Sequence, residues 1–449
     1  MHTLLLCLAL LFATAAAAEP PTTLSPTRSR NLETVLLRAV REVGFDQVRD
    51  WRHKGERIRH MPNVDVAVIE LDAEGRPVAA ANVLLSRDYP KGQAVPLDAR
   101  TLGAESVRFT KWDLERWDDK KGWADAPAGD DIVPGREGAP LRFMAPYPAS
   151  LFKILIAYRV MRLVDRGELT LDTPYRFLRD TEDKGERPLR AWLEPMIVES
   201  NNTATEALVK LLHERGAMEG LNAEYAALGL GTLQVNGTSP VTGRNWQPGS
   251  LHMTAMDTAK LFLLINGGPG VLWRTREGRA VTAAELSEPA RRYLKKLLAD
   301  QGYTEGLSST VVCGDPHARK GIPTAEPARW LAADGTATVG ETAFKRDTRP
   351  CNAAAEVEFL HKTGRTENYA SDAGIVHSLP GNAPRHYVIA FLSNLGDRYY
   401  DEGLAGAANF ADEENGTPAK VTGIRETQSI AELGHRVDEA LKQRSPGKR

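Results

Sequence analysis

The sequence predicts an α+β fold, in which one antiparallel sheet is completed by the N- and C-terminal segments, is flanked by helices and carries an inserted all-helical region. Three observations predict it. Alternating apolar segments typical of strands occur near both ends of the chain, and the segments between them have helical spacing. Strands and helices do not alternate regularly, as they would in a fold built from βαβ units.

The N-terminal eighteen residues predict a secretory signal peptide. Residues 1–18 contain no charged side chain and end in four alanines, which is typical of a cleaved signal. The alternative, a membrane anchor, requires a longer apolar stretch. We therefore expect an exported protein, periplasmic or extracellular, without a stable membrane span. Residues 19–449 are expected to form one domain, with the sheet part at about 31–145 and 341–449 and the helical part at about 146–300.

The first elements after the signal are a helix and a hairpin. Residues 19–30 are rich in Pro, Thr and Ser and favour a flexible lead-in. Residues 31–43 have the apolar spacing of an amphipathic helix. Residues 64–71 alternate and are followed by turn residues and a return strand at 77–85, which predicts a β-hairpin.

A buried helix is predicted at the centre of the chain. Pro148 favours the first turn of a helix and Gly167 favours a helix end, so the stretch between them is predicted to form about four helical turns. Its first half is apolar on all sides, so the helix is expected to be buried. The connection before it, residues 86–145, lacks a sustained period, and we expect its tryptophans to pack it down rather than bind a ligand; they are Trp112, Trp117 and Trp123.

The second half of the chain contains further helical and strand patterns. Helices are predicted at residues 189–198, 203–213, 254–265, 290–298 and 426–441, and strands at 356–361, 370–378 and 387–394. Residues 302–356 are irregular and contain Cys313 and Cys351, the two cysteines that remain after signal removal. In an oxidising compartment a disulfide between them would add about 2 to 4 kcal/mol of stability. The alternative is two separate buried thiols.

Composition excludes several classes of function. Lys and Arg number 57 and Asp and Glu 59, and no polybasic cluster occurs, so we expect no nucleic-acid binding. The ten histidines are scattered, without a His-Glu-x-x-His or a close Cys/His set, so no metal or other cofactor is expected. A Gly-x-Ser-x-Gly sequence is absent, which argues against a Ser-His-Asp hydrolase of that type. The oligomeric state stays open.

Ser150 and Lys153 stand at the start of the apolar helix, three positions apart and therefore on one face. Burial lowers the pKa of a lysine from roughly 10.4, and a neutral amine one helical turn away can take the proton of a serine hydroxyl. The alternative is a helix-capping serine and a lysine that reaches solvent. The pattern alone does not decide, because Ser-x-x-Lys also occurs at Ser445 to Lys448.

Two other polar motifs follow. Ser200-x-Asn202 lies between two predicted helices; Thr203 and Glu206 match a capping box, so the alternative is a plain polar turn. Lys362-Thr363-Gly364 ends a predicted strand. Taken in order and in context, the three motifs resemble those of the penicillin-recognising serine hydrolases, which include class A β-lactamases and penicillin-binding D-alanyl-D-alanine peptidases.

The resemblance extends beyond the motifs and implies a function. It includes residues 197–205 and 321–323 and spans about 31–443, with insertions at 86–145 and 324–355. It implies a serine hydrolase that needs no cofactor and acts on a small molecule or a peptidoglycan-derived substrate. Ser150 would be the nucleophile and Lys153 the base that accepts its proton. Ser200 would relay that proton, and the side-chain amide of Asn202 would hold both Lys153 and the substrate. Lys362 would supply a fixed positive charge and Thr363 a hydroxyl. Gly364 would leave room for the substrate backbone to approach the strand closely. The backbone N–H of Arg365 would form the oxyanion hole together with that of Ser150.

The chain departs from the class A pattern in one respect. Those enzymes carry a loop glutamate that activates the deacylating water, whereas residues 225–256 contain no Asp or Glu. Asn236 lies about where that loop is expected, and His252 is the only conventional base in the stretch. We therefore expect β-lactams to acylate Ser150 and the ester to clear slowly, unless His252 or Lys153 activates water. The alternatives are a D-alanyl-D-alanine carboxypeptidase acting on peptidoglycan and a non-hydrolytic β-lactam-binding or sensor protein.

Overall fold

A computed structural model of the protein describes residues 24–404, 424 and 426–444. The signal peptide predicted at residues 1–18 lies outside them. Within those ranges, no helix is both long enough and apolar enough to cross a membrane. The α-helices are α1 (Pro26–Glu42), α2 (Leu114–Trp117), α3 (Lys153–Asp165), α4 (Arg190–Val198), α5 (Asn202–Glu214), α6 (Leu221–Ala227), α7 (Ala255–Asn266), α8 (Glu288–Ala299), α9 (Arg349–Ala353) and α10 (Ser429–Arg444).

The strands form one large sheet and several short pairs. They are β1 (Arg49–Asp50), β2 (Glu56–Arg57), β3 (Val64–Leu71), β4 (Pro77–Leu85), β5 (Gln93–Ala94), β6 (Val107–Thr110), β7 (Leu141–Met144), β8 (Pro174–Arg179), β9 (Glu182–Pro188), β10 (Gln234–Val235), β11 (Leu251–His252), β12 (Val271–Arg274), β13 (Ala280–Thr282), β14 (Ala337–Val339), β15 (Thr342–Phe344), β16 (Val357–Arg365), β17 (Ala370–Ser378), β18 (His386–Ser393) and β19 (Tyr399–Tyr400).

The large sheet has the order β16-β17-β18-β3-β4-β5, and all its neighbours are antiparallel. It joins strands from both ends of the chain, so the predicted α+β fold is confirmed. Helix α1 packs on β4 and against α10, while α7 packs on β3, β17 and β18. Every residue of β3 is buried, because helices cover both faces of the sheet. The helical region in the middle of the chain thus contacts the sheet through α7.

The inserted region is mainly helical and also contains three short antiparallel pairs, β8–β9, β10–β11 and β12–β13. The helical spacing of apolar residues in this part of the sequence does not predict these strand pairs. Strand β9 is the clearest case: it has no buried residue and its sequence is dominated by charged side chains. Without an apolar face it lacks the alternation by which a strand is recognised in a sequence.

Among the helix starts that differ from the predictions, two have a clear local cause. Helix α1 begins at Pro26, because the side chain of Ser25 accepts a hydrogen bond from the amide of Arg28 at 3.3 Å; a flexible lead-in is wrong for this part of residues 19–30. The central helix begins as a 3-10 turn at Ala149–Phe152, and α3 follows. The carbonyl oxygen of Pro148 accepts from the Leu151 amide at 3.2 Å, which closes this tighter turn.

Residues 86–145 and residues 302–356, the two segments predicted to be irregular, are each stabilised by contacts of their own. In residues 86–145 the rings of Trp112 and Trp117 lie 5.6 Å apart and that of Trp123 lies 6.4 Å from Trp117, so the predicted packing role of the tryptophans is confirmed. The irregular residues 302–356 also contain the β14–β15 hairpin and α9. The predicted disulfide is present there between Cys313 and Cys351, whose Cα atoms are 6.0 Å apart.

Candidate active site

Ser150 lies on the 3-10 turn before α3 and is half-buried. Gly364 of β16 packs directly on this turn: a Cβ atom there would stand 2.4 Å from the carbonyl oxygen of Pro148 and 2.5 Å from the amide nitrogen of Leu151. Ala149 has a φ of +47°, a conformation that costs energy in a residue other than glycine. The first and third sequence motifs are therefore in direct backbone contact.

Ser371 fixes the same turn from the neighbouring strand. It lies on β17, and its hydroxyl donates to the carbonyl oxygen of Pro148 at 2.6 Å. The sequence reasoning missed this residue. Its only signal is a polar pair, Ser371 and Asp372, near the start of an otherwise apolar strand pattern.

Lys153 is the first residue of α3 and is completely buried. Its Nζ donates to Asn202 Oδ1 at 2.7 Å, to Ser200 Oγ at 3.3 Å and to the carbonyl oxygen of Ser200. Burial, and after it the charge of Lys362, hold the pKa of Lys153 well below the usual value for a lysine. This environment favours the neutral amine, which donates only two of these three bonds at a time and has a lone pair that can accept a proton. The predicted contact between this amine and the Ser150 hydroxyl is not among the described hydrogen bonds.

Ser200 joins the two lysines of the site. It follows α4 with a φ of +57°, and its hydroxyl oxygen accepts from Lys153 Nζ at 3.3 Å and from Lys362 Nζ at 2.9 Å. An oxygen that accepts from two amines keeps its own proton available for a third partner. The hydroxyl can therefore donate to a group bound beside it.

Asn202 begins α5 and is positioned by the preceding residue. Asn201 caps the helix, since its Oδ1 accepts from the amide of Ala204 at 2.9 Å. The capping box predicted for Thr203 and Glu206 is wrong, because the cap stands two residues earlier. Asn202 is left with its side chain on Lys153 rather than on the helix end.

Lys362 is completely buried on β16, and its Nζ donates to the carbonyl oxygen of Thr363 at 2.7 Å as well as to Ser200. Burial lowers its pKa to about 7, opposed by the charge of Asp372 on β17. The carboxylate of Asp372 is itself bound to Nδ1 of His361 at 2.8 Å. Burial therefore weakens the fixed positive charge that the sequence predicts at this position.

Within the described residues, neither Lys153 nor Lys362 forms an ion pair. Arg365 differs, because its side chain is committed to carboxylates from three separate segments: Glu305, Asp397 at 3.2 Å and Glu426 at 3.8 Å. The Arg365 side chain is therefore held in ion pairs that have a structural role. The oxyanion role of its backbone N–H stays a prediction. Sequence reasoning missed the three carboxylates because their patterns are unremarkable alone.

The loop 236–250 lies beside the Ser150 turn. The ring of Trp246 is 5.3 Å from that of Phe152, the last residue of the 3-10 turn that carries Ser150. Arg244 binds Glu206 of α5 at 3.1 Å, and a Cβ at Gly243 would clash with the carbonyl oxygen of Glu206. The loop is therefore clamped to α5, although it brings no carboxylate of its own.

His252, the conventional base of residues 225–256, and Asn236, which marks the expected loop position, are both held elsewhere in the structure. His252 is buried on β11, and burial together with the charge of Lys111 lowers its pKa to about 4. Asn236 accepts from Asn222 Nδ2 at 2.8 Å. None of the described hydrogen bonds joins either residue to Ser150. Among the described residues, no group of three or more His, Cys, Asp and Glu side chains is arranged to hold a metal ion.

Residues 145–410 match the sequence model of the beta-lactamase enzyme family. A search of curated proteins finds no match. Among solved structures, a beta-lactamase from Chitinophaga pinensis DSM 2588 is 18% identical with a TM-score of 0.40, covering 66% of this chain and 85% of that chain. A beta-lactamase from Sphaerobacter thermophilus DSM 20745 is 16% identical, with a TM-score of 0.42 and coverage of 92% and 99%. A PBP-A mutant in an acyl-enzyme complex with penicillin-G is 15% identical, with a TM-score of 0.44 and coverage of 94% and 99%.

Proposed function

The chain belongs to the beta-lactamase enzyme family, and on that premise we propose that it is a class A-like serine hydrolase acylated at Ser150 by β-lactams or related amide and peptide substrates. The observation that carries the proposal is the position of the Ser200 hydroxyl between two buried lysines, Lys153 and Lys362. A proton acceptor and a cation then stand on either side of the proposed proton relay, and Ser150 lies three residues before Lys153 on a turn against which Gly364 packs. That set of groups is what acyl transfer to a hydroxyl requires.

In the proposed reaction, Ser150 Oγ attacks the substrate carbonyl carbon and its proton passes to the neutral amine of Lys153. The carbon–nitrogen bond then breaks, and the leaving nitrogen takes the proton of the Ser200 hydroxyl. Lys153 returns to Ser200 the proton that it accepted from Ser150. The acyl group remains on Ser150 as an ester. Apo geometry supports this even without a direct Ser150–Lys153 hydrogen bond, because catalytic hydrogen bonds often tighten only with substrate bound.

The third motif is proposed to bind the substrate. Lys362, when charged, and the hydroxyl of Thr363 suit the carboxylate of a β-lactam or of a peptide terminus. Gly364 leaves room for the Ser150 turn, so the two proposed oxyanion donors, the N–H groups of Ser150 and Arg365, come from segments in contact. Removing one such donor costs about 3 kcal/mol in other enzymes.

We further propose that deacylation is slow. The loop 236–250 carries no carboxylate, and Glu206, which holds this loop, is paired with Arg179 and Arg244. His252 is buried with a lowered pKa and joins none of the described hydrogen bonds of Ser150. Water activation then falls to Lys153, whose amine is also needed for acylation.

Intact-protein mass spectrometry after incubation with a penicillin tests this function. We expect a mass increase equal to the whole penicillin, because opening the lactam ring releases no fragment, and we expect the adduct to persist for minutes to hours. Rapid turnover without a detectable adduct would contradict slow deacylation. Absence of both adduct and turnover would contradict the acyl-transfer site itself.

A second candidate is a penicillin-binding peptidase or a non-hydrolytic sensor. The absence of Asp and Glu from residues 225–256 favours the sensor in particular, because a protein that only needs to be acylated has no use for a loop acid. Release of a labelled penicillin over hours separates the candidates: a sensor keeps the label, whereas a slow hydrolase is regenerated.

The charge of Lys362 gives a pH dependence for substrate capture. Because its pKa is about 7, the side chain is charged below that pH and loses its charge above it. We expect kcat/KM for acylation by a penicillin to fall about tenfold per pH unit above pH 7, since this parameter reports groups of the free enzyme. Lys362→Arg keeps its charge throughout and should remove this decline. A decline that is unchanged in the arginine variant would assign it to another group.

Export is part of the proposal. The apolar residues 1–18 are proposed to be removed as a signal peptide, and residues 19–449 to act as one domain in the periplasm or outside the cell. The Cys313–Cys351 disulfide supports this, because disulfides form and persist mainly in oxidising compartments.

A further inference from the structure

The hairpin of β14 and β15, called the insertion hairpin (Ala337–Phe344), packs against the end of α4. Val339 is fully buried and lies on Gly302, where a Cβ atom would come within 2.5 Å of Val339 Cγ2. The amide of Gly302 donates to the carbonyl oxygen of Val198, the last residue of α4, at 3.1 Å. The hairpin is therefore separated from the helix that leads to Ser200 by a single residue.

The end of α4 depends on partners outside the helix. Pro195 lies within it, and the carbonyl oxygen of Pro195 accepts from the amides of both Glu199, at 3.2 Å, and Asn201, at 3.0 Å. The carbonyl oxygen of Ile197 is satisfied by the side-chain amide of Gln301 at 2.9 Å. The last carbonyl groups of a helix have no partner inside it, and here Gln301 and Gly302, which follow α8, supply those partners.

The tip of the insertion hairpin reaches the residue before Ser200. A Cβ atom at Gly340 would lie 3.4 Å from Oε2 of Glu199. Ser200 has the left-handed φ of +57° described above, a conformation that persists only where the surroundings hold it. The hairpin is one of the surfaces that surround this turn.

The insertion is itself anchored firmly. The Cys313–Cys351 disulfide joins a residue near its C-terminal end to the segment that precedes it. Arg329 binds Glu194 of α4 at 2.7 Å and Asp300, just after α8, at 3.3 Å. A rigid support is thus built against the outer side of α4.

From these contacts we propose that the insertion hairpin is a positioning element, which holds the turn at Ser200 so that its hydroxyl stays between Lys153 and Lys362. Val339 is the positioning residue, because its side chain covers the residue that binds the end of α4. The proposal rests on the proposed function, in which Ser200 passes a proton to the leaving nitrogen. Loosening the turn should slow that transfer and leave substrate capture by Lys362 and Thr363 nearly intact.

The test compares Val339→Ala with Val281→Ala, a control in which an equally buried valine is shortened on another two-stranded hairpin, β12–β13. Acylation by a fluorescent penicillin is followed over concentration, and hydrogen exchange is measured for the amides of Glu199 and Asn201. For Val339→Ala we expect the maximal acylation rate to fall at least about tenfold and the half-saturating concentration to stay within about twofold. We expect the two amides to exchange at least about tenfold faster. The control should lower only the melting temperature.

A folded Val339→Ala protein with wild-type acylation and wild-type exchange overturns the proposal. Should this variant not fold, the double variant Cys313→Ser/Cys351→Ser is measured in the same way; faster exchange at Glu199 and Asn201 supports the proposal and unchanged exchange overturns it. A wild-type protein that is never labelled refutes the proposed function instead. In that case the exchange comparison still decides whether the hairpin holds the turn.

Discussion

Replacing Ser150 by alanine is expected to abolish covalent labelling by penicillin and to lower any turnover by a factor of about 10⁴ or more. The alanine variant has no hydroxyl to attack the carbonyl, so the ester cannot form. Folding should be nearly unaffected, because the serine is half-exposed and only one oxygen atom is removed. Gel fluorescence with a labelled penicillin and intact-protein mass spectrometry measure the loss, and a thermal melt confirms the fold.

The chain supplies a matched control for this variant. Ser445 begins the second Ser-x-x-Lys sequence, which ends at Lys448, so Ser445→Ala removes the same group from the same local pattern. We expect it to label like the wild type. Labelling of Ser150→Ala at the wild-type rate would show that penicillin is attached to another residue.

Replacing Lys153 is expected to have the second largest effect, a loss of about 10³-fold in the acylation rate, within the range that a general base contributes. Two variants separate its roles. Lys153→Arg keeps a cation but cannot give up its proton, and Lys153→Met keeps the length of the buried chain without any charge. If Lys153 acts as a base, both variants lose the reaction. If it acted only as a cation, the arginine variant would retain most of the rate.

A stability control is needed because Lys153 is completely buried. Lys260 of α7 is a matched case, being equally buried with its Nζ bound to the carbonyl oxygen of Gly229 at 2.7 Å. Lys260→Met should lower the melting temperature while the folded protein acylates at the wild-type rate. Equal losses of acylation in Lys260→Met and Lys153→Met would show that the rate reports stability and not proton transfer.

Most of the sheet can be predicted from local patterns, since a strand buried in a sheet has a recognisable apolar run. Val64–Leu71 and Ala370–Ser378 have the same bounds in the structure as in the sequence pattern. Helix ends are harder, because a cap depends on one side chain. The start at Pro26 is set by Ser25, although the surrounding composition favours a loop.

The candidate site shows a similar division. The order of the three motifs predicts which residues meet, and the structure brings Lys153, Ser200 and Lys362 together. The order does not predict burial, which arises when distant segments pack. The complete burial of Lys362, and hence its lowered pKa, could not be anticipated from a lysine at the end of a strand.

Contacts between segments that lack a known motif are the least predictable part. Residues 324–355 contain no sustained period, so their hairpin and its contact with the end of α4 become visible only in three dimensions. The same holds for Arg365, whose three carboxylate partners are spread over more than a hundred positions of sequence, roughly a quarter of the chain.

The pairing of β18 with β3 at the centre of the sheet has a consequence for biosynthesis. Beside this pairing, the amide of Asn63 binds the side chain of Asn394, 331 positions away. The ribosome must therefore release nearly the whole polypeptide before the middle of the sheet can close. Contacts between such distant positions form slowly because a large loop must first be closed. The large sheet of the newly made chain thus stays incomplete until late in synthesis, and an incompletely folded polypeptide is the form that can be threaded through a translocation pore.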